Sequence, residues 1–237
     1  MRRFAILCTL VLCACAGPPP YATTVGVLQP GSTLSVKVAS SDVNAYAPVV
    51  GGPRNRFTVE ATALDKNSLP PAPTMRPSRD GVSVFSGAVL RSLLIRVPDG
   101  VALVVDSANG DVRVTNISGT ANVRAKHGNV QIIVPAYAQA NVGIGTLSVT
   151  MGSTAWPGDL HFSTQSGDIE VWINENAKFD VRMHTDDGTL FTDFALRGTS
   201  SGTSETIEGP VNGGAARGID IETHAGAIRL LKLHPEA

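Results

Sequence analysis

Between Asp106 and Pro135 the chain repeats a short pattern of alternating apolar and polar residues. Three glycines, Gly110, Gly119 and Gly128, lie nine residues apart, and each is followed by such a segment. Alternation with a period of two is typical of a half-buried strand, because successive side chains point to opposite faces of a sheet. Glycine supplies the positive φ that a sharp corner needs. A strand and a corner repeated at a fixed interval predict coils that stack on one another.

The same alternation continues towards the C-terminus. A lone strand of this kind cannot bury its apolar face, whereas stacked coils bury it in a continuous ladder with like positions above like. We predict an all-β fold: a single-stacked β-solenoid with an irregular N-terminal β cap. The apolar positions expected to face its core are Val112, Val114, Val130, Ile132, Val134, Leu147, Val149, Met151, Leu160, Phe162, Ile169, Val171, Ile173, Phe179, Val181, Met183, Ile219, Ile221, Ile228 and Leu230.

The first residues are typical of an export signal. Two arginines precede the apolar segment 4–12, which is too short to cross a bilayer as a helix. The following Leu12-Cys13-Ala14-Cys15 resembles the lipobox of bacterial lipoproteins. In that family the signal is cut before the cysteine, so the resemblance implies that Cys15 becomes the lipidated first residue. The alternative is an ordinary signal peptide cleaved near Ala16.

Lipidation at Cys15 predicts a protein of the bacterial cell envelope, with the membrane as a partner through the N-terminal lipid. Ala16, where an Asp would favour retention at the inner membrane, favours the outer membrane if the cell has two membranes. All three cysteines lie at residues 8, 13 and 15, so the folded part has none for a disulfide or a metal. The formal net charge of −1 gives no basic surface, and we expect no nucleic-acid partner.

Composition divides the chain into four regions. Four prolines within residues 65–81 predict a surface excursion outside the sheet, and the Gly-, Ser- and Thr-rich residues 198–218 predict a loop or a loosened coil. The predicted regions are the lipoprotein signal peptide (1–15), a proline-rich tether (16–31), the N-terminal β cap (32–97) and the β-solenoid (98–233).

The repeated phrases are similar to those of a known family. Residues 107–114 read S-A-N-G-D-V-R-V, residues 166–171 read S-G-D-I-E-V, and the lead-in R-V-P-D-G stands at 96–100. Over roughly residues 91–233 they resemble the adhesin-like family of bacterial β-solenoid domains. The resemblance implies the solenoid fold and an adhesin-like role, and it supplies no catalytic residues to carry over.

Polar residues follow several corner glycines, as at Asp111, Asn129, Asp159 and Asp168. Calcium-binding solenoids carry the motif G-G-x-G-x-D in each turn, and that motif does not occur here. We therefore predict that these side chains cap their own turns, and we expect no metal ion and no cofactor.

Histidines suggest another possible metal site. His161 and His184 fall on the polar face of predicted strands, and stacked coils could bring them close to each other and to Asp186. The spacings H-x-H and H-x-x-x-H do not occur. We therefore favour histidines that face solvent.

An enzyme acting on polysaccharides is the alternative function. Lyases and hydrolases with β-helical folds line an outer groove with carboxylates, which act as acid and base, and with cations. Any soluble solenoid also needs charges on its outer face, and aromatic residues for stacking on sugars make up only 5% of the chain. We predict no catalytic residues. The outward charged positions are Asp111, Arg113, Arg124, Lys126, Glu170, Asp180 and Arg182.

Trp172 and Phe191 form the candidate partner surface. Trp172 lies between Val171 and Ile173, so the alternation predicts that its side chain points outward, and Phe191 is expected on a nearby coil. Packing under a loop is the alternative. We therefore predict a non-catalytic, envelope-anchored β-solenoid lipoprotein with an adhesin-like binding or structural surface, whose partner is an envelope protein or a cell-wall glycan.

Overall fold

The computed structural model describes residues 21–48, 55–65 and 67–234, so the predicted signal peptide and Cys15 lie outside the described residues. Those residues form nineteen strands and no helix. The first ten strands are β1 (Tyr21–Val27), β2 (Thr33–Tyr46), β3 (Arg56–Thr62), β4 (Thr74–Ser78), β5 (Gly81–Arg96), β6 (Ala102–Asn109), β7 (Val112–Thr115), β8 (Ala121–His127), β9 (Val130–Val134) and β10 (Ala138–Ile144). The remaining strands are β11 (Leu147–Met151), β12 (Leu160–Ser166), β13 (Ile169–Asn174), β14 (Phe179–Asp187), β15 (Leu190–Thr192), β16 (Gly198–Ser201), β17 (Ser204–Val211), β18 (Gly218–Ala225) and β19 (Ile228–Leu233).

The strands form one open, mixed sheet that is folded into two layers. Strands β2 and β5 are long, and each contributes one half to each layer. The pairing between them shifts register at the corner where the halves meet. The other coils each place one strand in each layer, and most neighbouring strands pair in parallel. In spatial order, layer A contains β4, β5, β2, β6, β8, β10, β12, β18, β14, β17 and β16. Layer B contains β1, β3, β5, β2, β7, β9, β11, β13, β19 and β15.

The core lies between the two layers, and the predicted ladder of apolar residues is confirmed. All twenty positions predicted to face the core are buried. Burial of each such side chain stabilises the fold by about 2 kcal/mol. One rung position of layer B is occupied in register by Val43, Val112, Val130, Leu147, Ile169, Ile228 and Leu190.

Glycines stack at the corner between the layers. Gly128 has φ +128°, and a Cβ on it would clash with the backbone carbonyl of Gly110 in the neighbouring coil. Gly145 would clash in the same way with the carbonyl of Gly128. No side chain fits at this corner, because the coils approach each other there backbone to backbone. The series of glycines in contact is Gly110, Gly128, Gly145, Gly167, Gly226 and Gly188.

The polar residues after these glycines link different coils. Asp111 Oδ1 accepts the backbone N–H of Asn129 at 2.8 Å, and Asn129 Oδ1 accepts that of Thr146 at 3.0 Å. Asp168 Oδ1 accepts the N–H of Ala227 at 2.8 Å. The prediction that these side chains cap their own turns is therefore wrong, because each carboxylate or amide reaches the corner of the next coil.

The order of coils in space differs from their order in the chain. The last coil, β18–β19, lies between the coil β12–β13 and the coil β14–β15. The last coil of the chain is therefore not the last coil of the stack. At the other end β2 likewise lies between β5 and the coil β6–β7. At each end, therefore, the terminal part of the chain lies between two coils that follow each other in the sequence.

Antiparallel strands cover the ends of the stack, and four of them occupy segments that the sequence does not predict as strands. Strand β1 lies within the predicted tether, residues 16–31, and pairs with β3. Strand β4 lies within the proline-rich residues 65–81 as an edge strand on β5, and β16–β17 within residues 198–218 form a hairpin on β14. A proline is tolerated in β4 because an edge strand leaves one row of N–H groups unpaired.

We expect Gly128→Ala to destabilise the fold by about 2–4 kcal/mol, because it combines an unfavourable φ with a clash against backbone. Denaturant unfolding of the purified chain measures this loss. Gly87→Ala is the matched control, since a Cβ there meets nothing within 4 Å and Gly87 has no positive φ. Equal stability of the two variants would contradict the close contact at the corner.

Candidate functional site

The outer face of layer B carries a continuous stripe of apolar side chains. Its members lie in register on six adjacent strands, from β2 to β19, and are partly or largely exposed. The two threonines among them lie between larger side chains. We call this set the apolar stripe: Tyr46, Thr115, Ile133, Thr150, Trp172 and Leu231.

Trp172 points outward, as the alternation predicted, and its ring is held in place. The indole N–H donates a hydrogen bond to Glu170 Oε1 at 2.8 Å, and Arg229 Nη1 lies 3.9 Å from Glu170 Oε2. Glu170 and Arg229 are paired neighbours on β13 and β19. The tryptophan therefore presents a half-exposed aromatic surface in a defined orientation.

Phe191 is also exposed, at 54% of its surface. It lies on β15 opposite Arg229, which in turn lies opposite Glu170. Strand β19 therefore separates Phe191 from Trp172, and both residues belong to the same outer face. The remaining members of the stripe were not predicted, because their alignment with Trp172 depends on the register between coils of unequal length.

The outer face of layer A is charged and polar. Asp106 lies between Lys37 Nζ at 4.0 Å and Arg124 Nη1 at 3.8 Å, beside a shallow groove of about 620 Å³. These charges are exposed, so each ion pair contributes little to stability. Further along the same face Asp220 lies between His161 and Arg182 at 3.7 and 3.6 Å.

His184 and Asp186 come together as the sequence suggested, but with His224 in place of His161. His224 Nδ1 lies 2.7 Å from Asp186 Oδ2, and His184 Nε2 lies 3.1 Å from Asp186 Oδ1. Both imidazoles donate, because an ionised carboxylate only accepts. These hydrogen bonds, that of His224 first, lower the pKa of Asp186 from its ordinary value of 3.8. Within the described residues no group of three His, Cys, Asp or Glu side chains is arranged to hold a metal ion.

The charged residues considered for the enzymatic alternative are divided between the two outer faces. Arg113 and Glu170 lie on layer B, whereas Arg124, Lys126 and Arg182 lie on layer A. Asp180 is also on layer A, and Asp111 is at a corner. The fold therefore does not gather these side chains into one groove.

Comparison with protein families identifies the architecture. The model of the Toastrack DUF4097 family matches residues 100–231, which is more than half of the chain. The chain belongs to the Toastrack DUF4097 family. The Toastrack match covers every strand from β6 to β18 and most of β19. Toastrack DUF4097 is a domain of unknown function, so membership establishes the fold and leaves the activity open.

Two solved structures are similar over most of their length. A candidate cell adhesion protein from Clostridium sporogenes is 10% identical, with a TM-score of 0.48, covering 90% of this chain and 100% of that one. A candidate adhesin from Bacteroides fragilis is 8% identical, with a TM-score of 0.32, covering 89% and 96%. No curated protein matches the chain.

The described part of the chain contains no helix with the length and hydrophobicity needed to cross a membrane.

We expect His224→Ala to raise the pKa of Asp186 back towards 3.8, because the largest cause of its lowering is then removed. Carboxyl NMR titration measures this pKa. His161→Ala is the control, since His161 faces Asp220 and not Asp186. Because the folded-state pKa is lowered, the stability that Asp186 contributes is complete above pH 4 or so and is lost as the pH falls through the folded-state pKa. An unchanged Asp186 titration in His224→Ala would contradict the assigned hydrogen bond.

Proposed function

We propose that this Toastrack protein is a non-catalytic, adhesin-like surface protein of the bacterial envelope, and that the apolar stripe with Phe191 binds its partner. The observation that carries the proposal is the outward, fixed Trp172 near one end of a row of partly exposed apolar side chains. Exposed aromatic residues on a rigid sheet are typical centres of binding surfaces, because they contribute large contact area at low entropic cost.

The regular spacing of the strands supports a repetitive partner. Successive members of the stripe lie on neighbouring strands about 4.8 Å apart. The stripe therefore presents apolar groups in a straight line across six strands, with Glu170 and Arg229 beside it for polar contacts. An extended cell-wall glycan or a strand of an envelope protein matches such a linear surface.

Anchoring at Cys15 is part of the proposal and rests on the N-terminal sequence alone. A lipid at that residue would hold the solenoid at a membrane surface, with the outer membrane as its location in a cell that has two membranes. Mass spectrometry of the mature N-terminus tests this directly. A diacylated or triacylated Cys15 is the expected result, and an unmodified Cys15 or a later start would remove the anchor.

The distribution of charge supports binding over catalysis. A glycan lyase or hydrolase needs carboxylates and cations converging on one bond of the substrate. Here the outward charges are divided between two faces, and Asp186, whose pKa is lowered, is held by two histidines. An assay on uronic-acid polymers, with release of unsaturated products as the readout, tests the enzymatic alternative, and we expect no product.

We expect the double variant Trp172→Ala/Phe191→Ala to bind isolated cell-wall material or envelope proteins at least about tenfold more weakly, because it removes two of the three aromatic side chains of the proposed surface. Co-sedimentation with cell walls and pull-down from solubilised envelope measure binding. Val89→Ala is the control, since Val89 is 64% exposed and lies outside the stripe.

Tryptophan fluorescence gives an independent readout. The chain has two tryptophans, of which Trp156 is buried and Trp172 is half-exposed. A partner on the stripe should therefore shift the emission of Trp172 to shorter wavelength. Binding that is unaffected by the double variant, with no change in emission, would contradict the proposed site.

A further inference from the structure

The two layers of the sheet end in four edge strands. Layer A ends in β4 and β16, and layer B ends in β1 and β15. An edge strand presents unpaired backbone N–H and C=O groups that can pair with another chain, and natural proteins usually protect such edges.

Three of these edges are protected. Strand β4 contains Pro77 and the charged Arg76. Strand β16 has only four residues, all small or polar. Strand β15 has three residues, and Glu205 Oε2 accepts the backbone N–H of Leu190 at 2.8 Å. Short length, proline, charge and a covering side chain all discourage pairing with a further strand.

Strand β1 has none of these protections. Its seven residues, Y-A-T-T-V-G-V, include no proline and no charge, and among the described residues it pairs only with β3. Thr24 points into the core, where its hydroxyl donates to the carbonyl of Pro73 at 2.9 Å. Tyr21 and Val27, on the outward face, are 58% and 60% exposed. As far as the described residues show, the edge is therefore long, apolar and open.

Exposed apolar side chains are concentrated at the same end of the stack. Eleven large apolar residues are exposed in the described part of the chain, and eight of them come from residues 21–94. These eight are Tyr21, Val25, Val27, Leu64, Leu69, Met75, Val89 and Leu94. Such concentration at one end is typical of a protein–protein contact, because soluble monomers scatter their exposed apolar residues.

We propose that β1 pairs antiparallel with β1 of a second copy of this chain, about a two-fold axis through Thr24. In this register Tyr21 lies opposite Val27 of the partner subunit, and Thr23 lies opposite Val25 of the partner subunit. Both are favourable cross-strand pairs of aromatic or β-branched residues. Layer B of one copy then continues into layer B of the other across the axis.

The lack of charge on β1 favours a second copy over an unrelated strand. In a two-fold contact each strand pairs with an identical strand that runs in the opposite direction. A charged residue near the axis would therefore lie close to the same charged residue of the partner subunit, and the two would repel each other. The seven residues of β1 avoid this repulsion entirely. One strand pair buries less area than a standard interface, so we expect a reversible dimer that forms as the protein concentration rises.

Sedimentation velocity of the full chain in mild detergent, over about a hundredfold range of concentration, tests the proposal. We expect the wild type to change from monomer to dimer. Thr23→Lys/Val25→Lys should weaken association at least about tenfold, because each Lys then faces a Lys of the partner subunit. Thr23→Lys/Val25→Glu should restore dimers at low salt, because this register places opposite charges face to face.

Ile144→Lys/Gln165→Lys adds the same charge at exposed sites away from β1 and should leave association unchanged. Thermal unfolding checks that all variants fold, which we expect because Thr23 and Val25 are exposed. A wild type that stays monomeric throughout, or a dimer that Thr23→Lys/Val25→Lys does not weaken, would overturn the proposal. Failure of the charge-complementary variant to restore dimers would overturn the register.

Discussion

The structure depends on the contact between a corner glycine and the backbone carbonyl of the next coil. Gly128 lies against Gly110, and Gly145 lies against Gly128, with no room for a side chain between them. This approach holds adjacent coils at the strand spacing of about 4.8 Å. The hydrogen bonds that Asp111 and Asn129 accept from the backbone N–H groups of the following corner then fix the register. Once corners are in register, every inward side chain meets its equivalents above and below, and the apolar core follows.

The same register determines which side chains lie beside one another on the outer faces. Because each outward side chain lies beside its equivalents on neighbouring strands, the surface carries lines of similar chemistry: an apolar stripe on layer B and alternating charges on layer A. Trp172, with its indole fixed by Glu170, shows how the regular backbone gives a surface side chain a single orientation. A rigid array of this kind suits recognition of an extended partner better than chemistry at one bond, because its functional groups form lines and not a convergent cluster. Its free edge, β1, offers a separate route to assembly that does not use the stripe.

The core and the corners could be predicted from the sequence, because alternation and glycine spacing are local signals. The position of the last coil could not, since Ile219 and Ile228 would fit the ladder equally well at its end or between two other coils. Strand β1 escaped prediction because its inward residues are small or polar, as at Thr24, and give no apolar alternation. The hydrogen-bond partners of the corner carboxylates could not be predicted either, because a side chain such as Asp111 can reach its own turn or the next coil equally well.

The order and register of the stacked coils can be measured in a methyl NOESY spectrum of the chain with labelled Ile, Leu and Val methyls. The stacking of corners places Ile228 between Ile169 and Leu190, in register with both. We expect cross-peaks from Ile228 to Ile169 and from Ile228 to Leu190, and none from Ile169 to Leu190. A direct contact between Ile169 and Leu190, with Ile228 at the end of the array, would contradict this order of coils.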